Sequence, residues 1–259
     1  MADDNAANSK WRPATQLVRG GTNRSNFAET NEAIFMSSGY IYDTAEQAQR
    51  AFQGEEDRFI YSRFSNPTVG MFEDRMALLE GAESCRATAT GMAAVYASLA
   101  ASVSAGDRLV ASKALFGSCD YICRDILPKF GVESIMVDGT NLAEWEAALS
   151  EPTAAVFMET PSNPQMDIID LPAVAEMAHN VGARVVVDNV FATPILQKPL
   201  ELGADVVVYS GTKHIDGQGR AMGGCVLTDD VEWSDNDLKQ FMRHTGPSLS
   251  PFNAWVHLK

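Results

Sequence analysis

Three short apolar runs limit the possible folds more than any other feature of this sequence: Ala154–Glu159, Ala183–Asp188 and Ala204–Ser210. Each stops abruptly at polar residues, as strands buried on both faces do. Between the first two, Asp170, Pro172 and Gly182 mark the start and stop of a helix. Further strands are predicted over Arg108–Ser112, Glu133–Val137 and Gly224–Thr228. Helices are predicted from Asn66-Pro67 to Gly81, from Thr88–Ala94 to near Gly106, from Phe116 to about Phe130, and from Asn141 through Leu149. Strands alternating with helices imply an α/β fold with a mostly parallel central sheet covered on both faces. In such a sheet a ligand sits outside the carboxyl ends of the strands.

The chain has 259 residues, 46% of them hydrophobic, enough for one large core or two modest ones. A net charge of −14 argues against a nucleic-acid surface. No apolar run is long enough to span a membrane, and Met1–Lys10 lacks the pattern of a signal peptide. The cysteines, Cys85, Cys119, Cys123 and Cys225, form no C-x-x-C pair. No metal site is indicated, and a reducing cytoplasm is expected. Residues 1–43 show little periodicity and read as an irregular arm. Thr44, with Gln47 at the capping-box position, then opens a short helix that Gly54 ends.

The residues at the strand ends carry chemistry. Lys213 follows the run Val206–Val208 between two hydroxyl residues, Ser210 and Thr212. Alone it reads equally as a surface lysine. It also meets the first need of a pyridoxal phosphate (PLP) enzyme, an amine that reaches an aldehyde beside groups that hold a phosphate. Asp188, at the end of a buried strand, suits the carboxylate that keeps the pyridine nitrogen protonated, although alone it is an ordinary turn residue. The main-chain N–H groups of Gly91 and Met92, at a helix start, suit the phosphate together with the Ser210 and Thr212 hydroxyls. Phe116 suits a ring stacked on the pyridine, and Asn163 a partner for the ring hydroxyl; their plain readings are a core Phe and an Asn-Pro turn. His214 follows the lysine and reads as pointing elsewhere.

In order and spacing, Tyr61-Ser-Arg-Phe-Ser-Asn-Pro-Thr68, Thr90-Gly-Met92, Glu159-Thr-Pro-Ser-Asn-Pro164, Val187-Asp-Asn189 and Ser210-Gly-Thr-Lys213 resemble the Cys/Met-metabolism family of PLP enzymes across nearly all of residues 14 to 259. The resemblance implies an aspartate-aminotransferase-like (fold type I) architecture. Lys213 would carry the cofactor, Asp188 would pair with the ring nitrogen, and Asn163 with the ring hydroxyl. Gly91, Met92, Ser210 and Thr212 would bind the phosphate. Tyr61 and Arg63 would reach the phosphate of a neighbouring subunit, in a homodimer or homotetramer with shared sites. Residues 1–57 would form an N-terminal arm, 58–246 the PLP-binding large domain and 247–259 the start of a linker helix, with a small C-terminal domain beyond the chain given. Phe116 stands where the family often has tyrosine. With Thr245–Trp255, it points to members that use an amino-acid substrate, O-succinylhomoserine, and sulfide to make homocysteine and succinate, a step of methionine biosynthesis. The alternatives are a cystathionine γ-synthase, an O-acetylhomoserine-using member, a γ-lyase, or a PLP-binding fragment without turnover.

Overall fold

The computed structural model describes residues 10–259, so residues 1–9 of the expected arm lie outside the described residues. The apolar runs form the centre of a seven-stranded sheet in the order β1-β7-β6-β5-β4-β2-β3. The strands are β1 (Ser84–Thr88), β2 (Arg108–Ser112), β3 (Glu133–Val137), β4 (Ala155–Glu159), β5 (Arg184–Asp188), β6 (Val206–Ser210) and β7 (Gly224–Thr228). Strands β2 to β6 pair in parallel. Only β7 runs against its neighbours, β6 and β1.

Alternate side chains of the central strands enter two apolar layers, which is why these runs are apolar at every position. Val156, Met158, Val185, Val187, Val207 and Tyr209 face one layer; Ala155, Phe157, Val186, Val206 and Val208 face the other. Burying each Val or Phe fully stabilises the fold by about 1.5–3 kcal/mol. The helices are α1 (Pro13–Arg19), α2 (Ala45–Gln53), α3 (Pro67–Glu80), α4 (Gly91–Ala100), α5 (117–129, wound as a π-helix over Ile122–Ile126), α6 (Leu142–Ala148), α7 (Leu171–Asn180), α8 (Thr193–Leu196), α9 (231–245) and α10 (Pro251–His257). The sequence cues hold at most ends. Asn66 Oδ1 accepts from the N–H groups of Thr68 and Val69, and Gly81 closes α3 with φ 89°.

The structure differs from the sequence reading in four places. Helix α1 lies within the irregular arm, α4 stops at Ala100 rather than near Gly106, and β1 and α9 were not anticipated. Strand β1, Ser-Cys-Arg-Ala-Thr, has no apolar run; its antiparallel partner β7 makes it a strand.

A buried ion cluster ties both ends of the described chain to α3. The Arg75 guanidinium donates to Glu32 Oε1 (2.7 Å), Gly20 O (2.8 Å), Leu258 O (2.8 Å) and Thr22 Oγ1 (3.2 Å). Lys259 Nζ donates to the other oxygen of Glu32. Burial pushes the Glu32 carboxyl up, but Lys259 and Arg75 outweigh it and bring its pKa down to about 2. Removing one partner strands a buried charge. Arg75→Leu should therefore lower the unfolding free energy by about 3–5 kcal/mol in urea titrations at pH 7. A loss below about 1 kcal/mol would mean that Lys259 alone compensates the Glu32 carboxylate.

Candidate active site

Strands β4, β5 and β6 end on one rim, and the candidate residues follow their ends: Asn163 after β4, Asp188 closing β5, and Ser210 to Lys213 after β6. The N-terminus of α4 meets this rim. A side chain at Gly91 would place its Cβ 2.5 Å from Ser210 Cβ, so only glycine permits the approach. Thr90 Oγ1 accepts from Ala93 N–H (3.0 Å) and Thr90 O from Ala94 N–H (3.2 Å). The N–H groups of Gly91 and Met92 are then the remaining donors of the first turn, beside the Ser210 hydroxyl. Thr212 Oγ1 accepts from Gly223 N–H (3.2 Å), which pins this hydroxyl near the start of β7.

Lys213 is exposed, in the turn Gly211–Ile215. Asp216 N–H donates to Gly211 O (2.9 Å) and Gly217 N–H to Lys213 O (2.8 Å), fixing the turn on both sides of the lysine. Asp188 is 8% exposed and accepts from Val190 N–H at 3.0 Å. Burial pushes its pKa up to about 6 against the pull of that hydrogen bond. Phe116 precedes α5 and is 43% exposed, available for stacking rather than used in the core.

Tyr61 and Arg63 are exposed in the loop before α3. Arg63 donates to Arg243 O, and its guanidinium carbon lies 5.4 Å from the centre of the Tyr61 ring. Among the described residues these contacts face α9 rather than the Gly91–Ser210 corner.

Two buried carboxyls beneath the rim went unassigned in the sequence. Glu159 ends β4 opposite Asp188 and is 4% exposed. Glu80, at the end of α3, accepts from Tyr209 Oη at 2.5 Å. Asn189 Nδ2 donates to Tyr209 Oη (2.6 Å) and to Gln197 O (2.9 Å). Gln197 Nε2 donates to Asn189 Oδ1 (2.8 Å) and to Thr160 O (2.9 Å). One network thus joins the ends of β4, β5 and β6. Glu159 had one visible signal, an acid closing an apolar run; Glu80 had none, because its partner Tyr209 lies 129 residues away. No group of three or more His, Cys, Asp or Glu side chains among the described residues could hold a metal ion.

A family model described as Cys/Met metabolism PLP-dependent enzyme matches residues 14–259. The chain is 58% identical over 246 residues to O-succinylhomoserine sulfhydrylase of Mycobacterium tuberculosis (strain H37Rv), covering 95% of this chain and 60% of that protein. Against the enzyme of the same name from Pseudomonas aeruginosa it is 46% identical over 245 residues, again 95% and 60% covered. Among solved structures, cystathionine gamma synthase from Xanthomonas oryzae pv. oryzae in complex with cystathionine superimposes with a TM-score of 0.89 at 34% identity, covering 96% of this chain and 62% of that one. An O-acetylhomoserine (thiol)-lyase from Campylobacter jejuni, with N'-pyridoxyl-lysine-5'-monophosphate, gives 0.89 at 29% identity, with 96% and 70% covered. The chain spans about 60% of the length of the curated relatives it matches.

The buried network makes stability depend on pH. Burial raises the Glu80 pKa to about 7 despite the Tyr209 hydrogen bond. Because its folded pKa lies above the ordinary carboxyl value, its contribution is full below pH about 4.5 and is lost as pH rises through about 7. Glu80→Gln should gain on the wild type between pH 5 and pH 8, by on the order of 2 kcal/mol, in paired urea unfolding curves. A constant difference between the two proteins would place the Glu80 titration outside this range.

Proposed function

The chain belongs to the Cys/Met metabolism PLP-dependent enzymes, and on that premise we propose that its rim binds PLP through Lys213 and that the whole protein displaces succinate from Cγ of O-succinylhomoserine with sulfide. The products would be homocysteine and succinate. The mostly parallel sheet and the superposition on solved relatives give it the fold-type-I architecture. The observation that carries the cofactor reading is the convergence of Lys213, Asp188 and the Gly91–Ser210 corner on one rim. Asp188 is buried with one backbone donor, which suits it to a cationic ring nitrogen. The α4 donors and two hydroxyls suit a phosphate. Asn163 is half-buried on the same rim and suits the ring hydroxyl. Phe116 in place of tyrosine, with the 58% and 46% identical sulfhydrylases, favours sulfide as the sulfur donor.

Bound PLP supplies an electron sink for the pair left when a proton departs from the substrate Cα. Lys213 Nζ would take the Cα proton, give it up to the bound cofactor, and so be free to take one from Cβ. Succinate would then leave from Cγ as its carboxylate, hydrosulfide would bond at that carbon, and the protons would return to Cβ and Cα. Asp188 would keep the ring nitrogen protonated. Phe116 has no hydroxyl, so the stacking residue orients without carrying a proton.

The shared site is also part of the proposal. Tyr61 and Arg63 are exposed, and Arg63 presents a fork suited to a phosphate of a second copy. Phe27, Met36 and Ile41 in the arm are 93%, 70% and 89% exposed, apolar surface that a homodimer or homotetramer would cover. A cytoplasmic setting fits the four buried, unpaired cysteines. Among the described residues no helix is long and apolar enough to cross a membrane.

Homocysteine release from O-succinylhomoserine and sulfide tests the activity. It should be measured for residues 1–259 and for a chain extended with the part of the 58% identical relative that it does not cover. The extended chain should turn over and prefer sulfide to cysteine; the shorter should be slower by orders of magnitude if substrate positioning depends on that part. Cystathionine formed from cysteine in preference to homocysteine would replace this reading with the γ-synthase one. For the shared site, co-assembling Arg63→Ala and Lys213→Ala subunits of the extended chain should restore activity that neither has alone. No recovery after proven subunit exchange would place both groups in one subunit.

A further inference from the structure

Building on the PLP reading above, we propose that Glu159 is the positioning residue of the rim: its one buried carboxylate fixes the backbone of the stacking ring, Phe116, and of the ring-hydroxyl partner, Asn163, beside Asp188. Phe116 and Asn163 sit in separate loops, one after β2 and one after β4. These strands are neighbours, with Ala111 paired to Phe157, so both loops emerge side by side. Glu159 stands between them. Its Oε2 accepts from Phe116 N–H at 2.7 Å, and the backbone N–H of Asn163 also stabilises its charged form. On its other side Glu159 is in register with Asp188 across the β4–β5 ladder. Cys119, 1% exposed on α5, lies close enough to both carboxyls for their charges to raise its thiol pKa further, after burial.

A carboxyl here is expensive, which argues for a role. Burial and then the Asp188 charge push the Glu159 pKa up to about 7, while the N–H groups of Phe116 and Asn163 pull the other way. An apolar residue would pack at this strand end without that cost but would leave the Phe116 and Asn163 N–H groups without this acceptor. Because Phe116 immediately precedes α5, its N–H bond to Glu159 sets where the ring begins its approach to the rim. Glu159 touches no reacting atom in this account; it works through Phe116 and Asn163.

The test uses the whole chain and three readouts: amide exchange of Phe116 and Asn163 by NMR without cofactor, the dissociation constant for PLP, and the visible circular dichroism of the bound cofactor. Glu159→Gln should speed exchange at both amides about tenfold, weaken PLP binding by a similar factor and reduce the dichroism. Glu159→Asp, which keeps the charge but withdraws it from Phe116, should move all three the same way. In a Phe116→Ala background, Glu159→Gln should weaken binding much less, because the ring it positions is gone. Thermal melts establish that each variant is folded; if Glu159→Gln is not, Glu159→Asp decides. If the variants leave exchange and PLP affinity within about twofold of a wild type that binds PLP, the positioning role is wrong and the cofactor reading stands. A wild-type chain that binds no PLP overturns both.

Discussion

A strand buried on both faces can carry polar chemistry only where it stops, and the rest of this molecule follows from that constraint. Strands β4, β5 and β6 give their side chains to two apolar layers and their backbone to the sheet. Because β4, β5 and β6 run parallel, their carboxyl ends fall on one rim. Glu159, Asp188 and the turn holding Lys213 are gathered there by strand direction alone. The antiparallel β7 starts next to the same rim, where Gly223 N–H holds the Thr212 hydroxyl.

The same constraint sets the electrostatics. Glu159 and Asp188 lie where water is scarce, and burial is the largest cause of the upward shift in each. Glu80 and Glu73 share this pattern, Glu73 accepting from Ala87 N–H at 2.7 Å to fasten α3 to β1. Glu32 is buried too, yet Arg75 and Lys259 bring it far below the usual range. Partner, rather than burial alone, decides the charge. The rim carboxyls have neutral donors as partners, which leaves Asp188 suited to a cation brought by a ligand.

The sheet was legible because long-range burial leaves a local trace: β4, β5 and β6 are apolar at nearly every position. The placement of Lys213, Asp188, Asn163 and Gly91 on one rim was legible for a related reason, since each stands where such a run stops or a helix begins. What escaped lacked a local trace. β1 depends on a partner strand far along the chain, and Glu80 reaches the rim through Tyr209 at a separation of 129 residues. Helix α1, seven residues with only Gln16 buried, has no apolar face to read. Glu159 looked like the polar end of a strand; its bond to Phe116, 43 residues earlier, gives it meaning. The contacts of Arg63 lie with Arg243 and Tyr61 and not with the Gly91–Ser210 corner, so the proposed role of Tyr61 and Arg63 rests on a second copy.

The central claim is that this rim is a PLP site organised on Lys213. The most direct measurement is to incubate the protein with PLP, reduce with borohydride, digest it and map the pyridoxyl group by mass spectrometry. The account predicts a single modified peptide carrying the group on Lys213, and its loss in Lys213→Ala. A label spread over surface lysines, or concentrated on another such as Lys198, would contradict it.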